Sequence, residues 1–96
     1  MKRTFLKPVL DLKATGIKIK TIMRQKGISP RQLQAFMDFP YVQTVYNWFS
    51  GKNMPTIDNL IVLSQILGVP MDSLVETTFV ETEIETDFLT VEMKAG

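Results

Sequence analysis

The chain has no cysteine and no histidine. The first absence excludes disulfides and thiolate-bound metal. The second removes the commonest general base and the commonest metal ligand together. Carboxylate or lysine chemistry stays open, but no nucleophile–base pair is visible. An enzyme is therefore the least favoured class, and no cofactor or metal is expected. Long hydrophobic runs are missing too. Stretches such as residues 60–63 fall far short of the ~20 residues a spanning helix needs. Met1, Lys2 and Arg3 ahead of Phe5 and Leu6 resemble the start of a signal peptide. Lys7, Pro8 and Asp11 interrupt that apolar region, so the expectation is a cytoplasmic protein with no membrane contact. Internal repeats and low-complexity tracts are absent.

What is present fits one small domain: 96 residues, 45% of them hydrophobic. The net charge of +1 hides an asymmetry. Residues 1–75 carry ten Lys/Arg and four Asp, a balance of +6; residues 76–96 carry five Glu, Asp87 and one Lys, a balance of −5. A basic body with an acidic tail hints at a nucleic-acid partner. Ordinary solvated surface charge would look the same, so the hint needs support from the motifs.

Periodicity and caps divide the body into short helices. Residues 1–10 read as a basic arm or extended segment broken by Pro8. A first helix starts at the N-cap Asp11 and buries Leu12, Gly16, Ile19 and Met23. Gly27 ends it, with Ile28 folding back on Met23. Ser29, Pro30 and Gln32 form a capping box with proline at N1, and Ile28 and Leu33 take the staple positions. This second helix runs to about residue 36 or 37. Its N-terminus, next to Arg31, offers free N–H groups to an anion. Asp38 tolerates the left-handed backbone of a turn, and Pro40 cannot lie inside a helix.

A third helix spans residues 42–49. Val45, Trp48 and Phe49 form its apolar stripe. Val42, Gln43, Tyr46, Asn47 and Ser50 form an uncharged polar face, and Gln and Asn amides match the edge of adenine. An ordinary amphipathic core helix would show the same two faces, so what precedes and follows this stretch decides between the readings. Gly51 stops the helix and Lys52 follows as a phosphate contact. A fourth helix starts at Thr56, with Asp58 in its first turn, and ends at Gly68. A fifth is expected over residues 71–76. Beyond it the chain is acidic and rich in β-branched residues. Residues 88–93 carry a strand-like alternation, with the segment 4–10, a second subunit's tail or a bound protein as possible partners.

A capped short helix, a turn and a polar-faced second helix make a helix-turn-helix. The run from Ile19 to Ser29, then Leu33, Val45 to Lys52, Pro55 to Leu60 and Leu67 to Leu74 resembles the Cro/lambda-repressor-like (Xre) family. Gly51, Pro55 and Gly68 all fall in order, and the resemblance covers roughly residues 17–75. Asp38 stands where the family usually has glycine, Gln34 where it favours a small residue, and the turn is one residue longer than the commonest form. The resemblance implies an all-α, five-helix domain at residues 11–76, with the motif at about 29–50. An N-terminal arm (1–10) and an acidic tail (77–96) flank it. By position it implies that Val42, Gln43, Tyr46 and Asn47 face bases, while Arg31, Thr44, Ser50 and Lys52 face phosphates. It implies a transcriptional regulator, repressor-like, acting as a homodimer on a palindromic operator in double-stranded DNA. An antitoxin whose tail binds a toxin is the alternative within DNA binding. A helical protein-interaction module is the alternative outside it, disfavoured because the face around the third helix is neutral to basic.

Overall fold

A computed structural model describes residues 1–85. The order of elements is β1 (Lys2–Leu10), α1 (Leu12–Lys26), α2 (Pro30–Phe36), α3 (Gln43–Phe49), α4 (Ile57–Leu67) and β2 (Thr77–Glu85), with a 3-10 turn at Met71–Leu74 before β2. The caps act where the sequence places them. Asp11 accepts from the Ala14 N–H at 2.9 Å. The capping box of α2 is closed in both directions, Ser29 Oγ accepting from Gln32 N and Gln32 Oε1 from Ser29 N. Gly27 is left-handed at φ 72°, and Ile28 N donates to Met23 O at 2.9 Å, which closes the Schellman turn.

Ile19, Met23, Leu33, Val45, Trp48, Leu60, Leu63, Leu67 and Leu74 form the core. Each helix contributes buried residues at the spacing of its stripe, although Ile57 and Ile61, on the stripe that spacing predicts for α4, are exposed. Helices α1 and α3 approach most closely at Gly16. A Cβ there would lie 2.1 Å from Trp48 O and 2.6 Å from Phe49 O, so only glycine lets the backbones meet. The expected burial of Leu12 does not occur; it is exposed at the helix start.

Two expectations are corrected. The domain has four α-helices, not five: Pro70 and a four-residue span limit the fifth to a single 3-10 turn. Val75 is already extended (φ −117°, ψ 147°), as suits a β-branched residue leading into a strand. The fold is also not purely helical, because β1 and β2 pair antiparallel along nine residues each. The N-terminal segment is thus the partner that the acidic segment takes, but the strand lies at 77–85. Residues 88–93, where the alternation was read, fall outside the described residues.

The ribbon projects from the helical body. All but one of its side chains are exposed and the radius of gyration is 18.0 Å, against about 12 Å for a compact chain of this length. Its root is tied down at Glu76. Asp11 N donates to Glu76 O at 2.9 Å, continuing the ladder by one pair. The backbone O of Asp11 serves α1, accepting from Thr15 N. The buried hydroxyl of Thr15 replaces it and accepts from Glu76 N at 2.9 Å. Lys18 Nζ pairs with Glu76 Oε1 at 2.9 Å.

Candidate nucleic-acid interface

The α2–turn–α3 unit is fixed from both sides. Asp38 is the one non-glycine residue at positive φ among the described residues, at 56°. It does what glycine would otherwise do in this turn. Gln34, where a small residue would be usual, donates from Nε2 to Phe39 O at 3.2 Å, and Phe39 N donates back to Gln34 O at 3.1 Å. The long side chain spans the extra residue of the turn. Phe39 meets the Trp48 indole edge-on, with centroids 5.5 Å apart. Trp48 therefore anchors α3 and faces inward, as the stripe predicts.

This anchoring leaves the opposite face of α3 outward. Val42 is the N-cap and half-buried, while Gln43 and Tyr46 are exposed and Asn47 is half-buried. Gln43 Nε2 donates to Asn47 Oδ1 at 3.0 Å, one turn apart. The bonded amides leave Gln43 Oε1 as an acceptor and Asn47 Nδ2 as a donor. Tyr46 is held edge-on by Phe49 at 5.9 Å. Tyr41, just ahead of the helix, is 72% exposed and stands on the surface.

The residues expected at phosphates are more dispersed. Ser50 caps α3 and its hydroxyl donates to Asn47 O at 3.2 Å. Lys52 is exposed in the next turn, where its N–H also donates to Asn47 O at 2.9 Å. Thr44 is half-buried. Arg31 is exposed on α2, but the helix terminus beside it is poorer in donors than expected. Pro30 has no N–H and the capping box takes the Gln32 N–H, so Arg31 N alone stays open.

Two cations that the motif did not single out join this surface. A cleft of ≈ 280 Å³ is lined by Lys20, Met23, Arg24, Ile28, Pro30, Tyr46 and Phe49. Lys20 Nζ lies 5.8 Å from the Phe49 ring centroid. Lys20 and Arg24, one turn apart on α1, thus flank the outward face of α3. In sequence nothing separates them from Lys13, Lys18 and Lys26. Only the packing of α1 against α3 does so.

Comparison with known proteins agrees with this geometry. A helix-turn-helix family model matches residues 19–74, more than half of the chain. The chain belongs to the Cro/C1-type helix-turn-helix family of DNA-binding regulators. Among solved structures, the BldD DNA-binding domain from S. venezulae aligns with a TM-score of 0.57 at 24% identity, covering 68% of this chain and 96% of that one. A crystal structure of the DNA-binding domain of BldD gives the same score and identity, covering 68% and 93%. At this identity the likeness is one of fold. No curated protein matches. None of the described helices is long and apolar enough to cross a membrane.

Proposed function

We propose that this chain is a sequence-specific, repressor-like transcriptional regulator whose unit at residues 11–76 lays α3 in the major groove. The observation that carries this reading is the bonded amide pair of Gln43 and Asn47 on the outward face of an anchored helix. Its free acceptor and donor match the N6 and N7 groups of adenine. Val42 and Tyr46 flank the pair and would meet thymine methyls or neighbouring bases. Arg31, Thr44, Ser50 and Lys52 would face the phosphates, joined by Lys20 and Arg24 from α1. The fold shared with the BldD DNA-binding domain supports the assignment.

A helix of seven residues contacts few base pairs. A two-fold pair of domains on a palindrome, with half-sites about 34 Å apart, supplies the rest. The test is selection of bound duplexes from a random library by the full chain, followed by titration across salt. A palindromic sequence should emerge, and affinity should fall with a log–log slope of about −0.9 per neutralised phosphate. No enriched sequence and a salt-independent constant would overturn the proposal.

A further inference from the structure

We propose that the outer edge of β2 is a homodimer interface. Two copies join there around a two-fold axis at Val80, forming a four-stranded antiparallel sheet. The inference rests on the dimer reading above but not on any choice of base-reading residue.

The ladder itself identifies the available edge. Register pairs Pro8 with Phe79 and, one pair beyond the strand end, Asp11 with Glu76. The Asp11 N–H to Glu76 O bond marks that last pair as hydrogen-bonded. Antiparallel pairs alternate, so Val9–Thr78, Lys7–Val80, Phe5–Thr82 and Arg3–Ile84 also point their polar groups inward. Pro8–Phe79 then falls among the pairs that point theirs outward. That is the place where a proline, lacking an N–H, fits. On β1 the outward groups belong to Lys2, Thr4, Leu6, Pro8 and Leu10, and Pro8 interrupts the row of donors. On β2 they belong to Thr77, Phe79, Glu81, Glu83 and Glu85, and every one keeps its N–H. Among the described residues, one edge is interrupted by Pro8 and the other keeps every outward N–H.

A two-stranded ribbon with its side chains in water is marginal alone, and an edge that keeps its N–H donors can take another strand, here only one whose register suits the glutamates along it. The charges on β2 select how a second copy fits. A two-fold axis at any residue from Glu81 to Ile84 sets glutamate opposite glutamate, which is destabilising. An axis at Val80 sets Glu81 opposite the second copy's Phe79 and Glu83 opposite its Thr77. Among the registers without a glutamate clash, this one has the longest overlap.

The faces agree with that choice. Arg3, Phe5, Lys7, Val9, Thr78, Val80, Thr82 and Ile84 share one face, as register and parity require. The Arg3 guanidinium lies over the Phe5 ring at 5.6 Å, consistent with a shared face. Glu81, Glu83 and Glu85 occupy the other face with Lys2. An axis normal to the sheet joins like face to like face. Phe5, Val9, Val80 and Ile84 of the two copies then share one face through the Val80 pair, and the glutamates lie on the opposite face with Leu6, Pro8, Leu10 and Phe79.

The test uses the absence of native cysteine. At the proposed axis the two Val80 Cα atoms form a non-hydrogen-bonded pair about 4.5 Å apart, within reach of a disulfide. The full chain should sediment as a dimer without DNA. Val80→Cys should cross-link to a covalent dimer under mild oxidation, and Thr78→Cys should not. Glu81→Pro removes an outward N–H and no β1–β2 bond, so it should yield a monomer that keeps the Phe5–Thr82 contact by NMR. Thr82→Pro, of the opposite parity, should break the ribbon itself. A monomeric native chain, a Glu81→Pro dimer or a Val80→Cys variant that stays uncross-linked would each overturn the proposal. A selected palindrome beside a Val80→Cys variant that stays uncross-linked would overturn this interface alone, whereas a monomeric chain that selects a non-palindromic site would overturn the dimer reading as well.

Discussion

Replacing Gly16 with alanine tests whether the close crossing of α1 and α3 holds the domain together. Helix propensity alone says the change should stabilise α1 by about 1 kcal/mol. The packing says the reverse. The new Cβ would sit 2.1 Å from Trp48 O, 2.6 Å from Phe49 O and 2.9 Å from Phe49 C, where ordinary contact begins at 3.4 Å. All three atoms are backbone, so no side-chain rotation relieves the clash. Relief needs a separation of roughly 1 Å, and a gap of that size forfeits up to about half of each dispersion contact across it. Ile19 and Trp48, both buried, are among the residues that would lose contact. Overpacking of this kind costs about 1–3 kcal/mol, and occasionally more. The severity of the overlap places the gross cost at or above the top of that range. The net loss should be about 2–3 kcal/mol, or a Tm lower by roughly 10–20 °C for a domain of this size. Denaturant unfolding followed by the single tryptophan reads it directly. Gly27→Ala is the control. It has nothing within 4 Å and carries only left-handed backbone strain, so about 1–2 kcal/mol is expected. If Gly16→Ala is as stable as the native chain or more so, the crossing does not hold α3 and the reasoning fails.

Three further outcomes are expected. Gln43→Ala should cost about 1–3 kcal/mol on the selected site and relax its sequence preference, whereas Lys52→Ala should weaken all sequences alike; identical behaviour across a site library would refute the division. Thr15→Val leaves the Glu76 N–H without its acceptor at the ribbon root, so unfolding should show a loss of about 1–3 kcal/mol and the Asp11 and Thr78 amides, which lie in the hydrogen-bonded pairs at that end of the ladder, should exchange faster; unchanged protection there would refute the role. Asp58 accepts from the Thr56 hydroxyl, which holds its carboxyl below the ordinary value. Its stabilising contribution should be present above about pH 4 and disappear as pH falls through the lowered folded value, and Thr56→Val should raise the Asp58 midpoint in an NMR titration.

Much of the helical body was legible because its signals are local. Asp11, Ser29, Gly27 and Gly68 act within one turn of their own positions, so short-range chemistry sets the helix boundaries. The inward side of α3 was legible for the same reason: Val45 and Trp48 repeat at helical spacing and are buried. The outward placement of Gln43 and Tyr46 follows as its complement. The fifth helix was overread, because periodicity does not count how few residues remain between Pro70 and the first extended residue, Val75.

Residue order and local chemistry thus determined the helices, their caps and which face of α3 is polar. Tertiary structure decided what depends on atoms far apart in sequence. It brought Lys20 and Arg24 beside Tyr46 and Phe49, and it made Gly16 the contact point of two backbones. It paired residues 2–10 with 77–85. The charges of Lys2, Arg3 and Lys7 against the acidic residues favour either residues 4–10 or a second subunit's tail as the partner, and do not decide between them. Only Lys2 stands opposite a glutamate, Glu85, while Arg3 and Lys7 face Ile84 and Val80. Register is set where Glu76 meets Asp11 and Thr15, some sixty residues away along the chain. A one-residue slip would exchange the two faces of the ribbon, and no local pattern in either strand specifies against it.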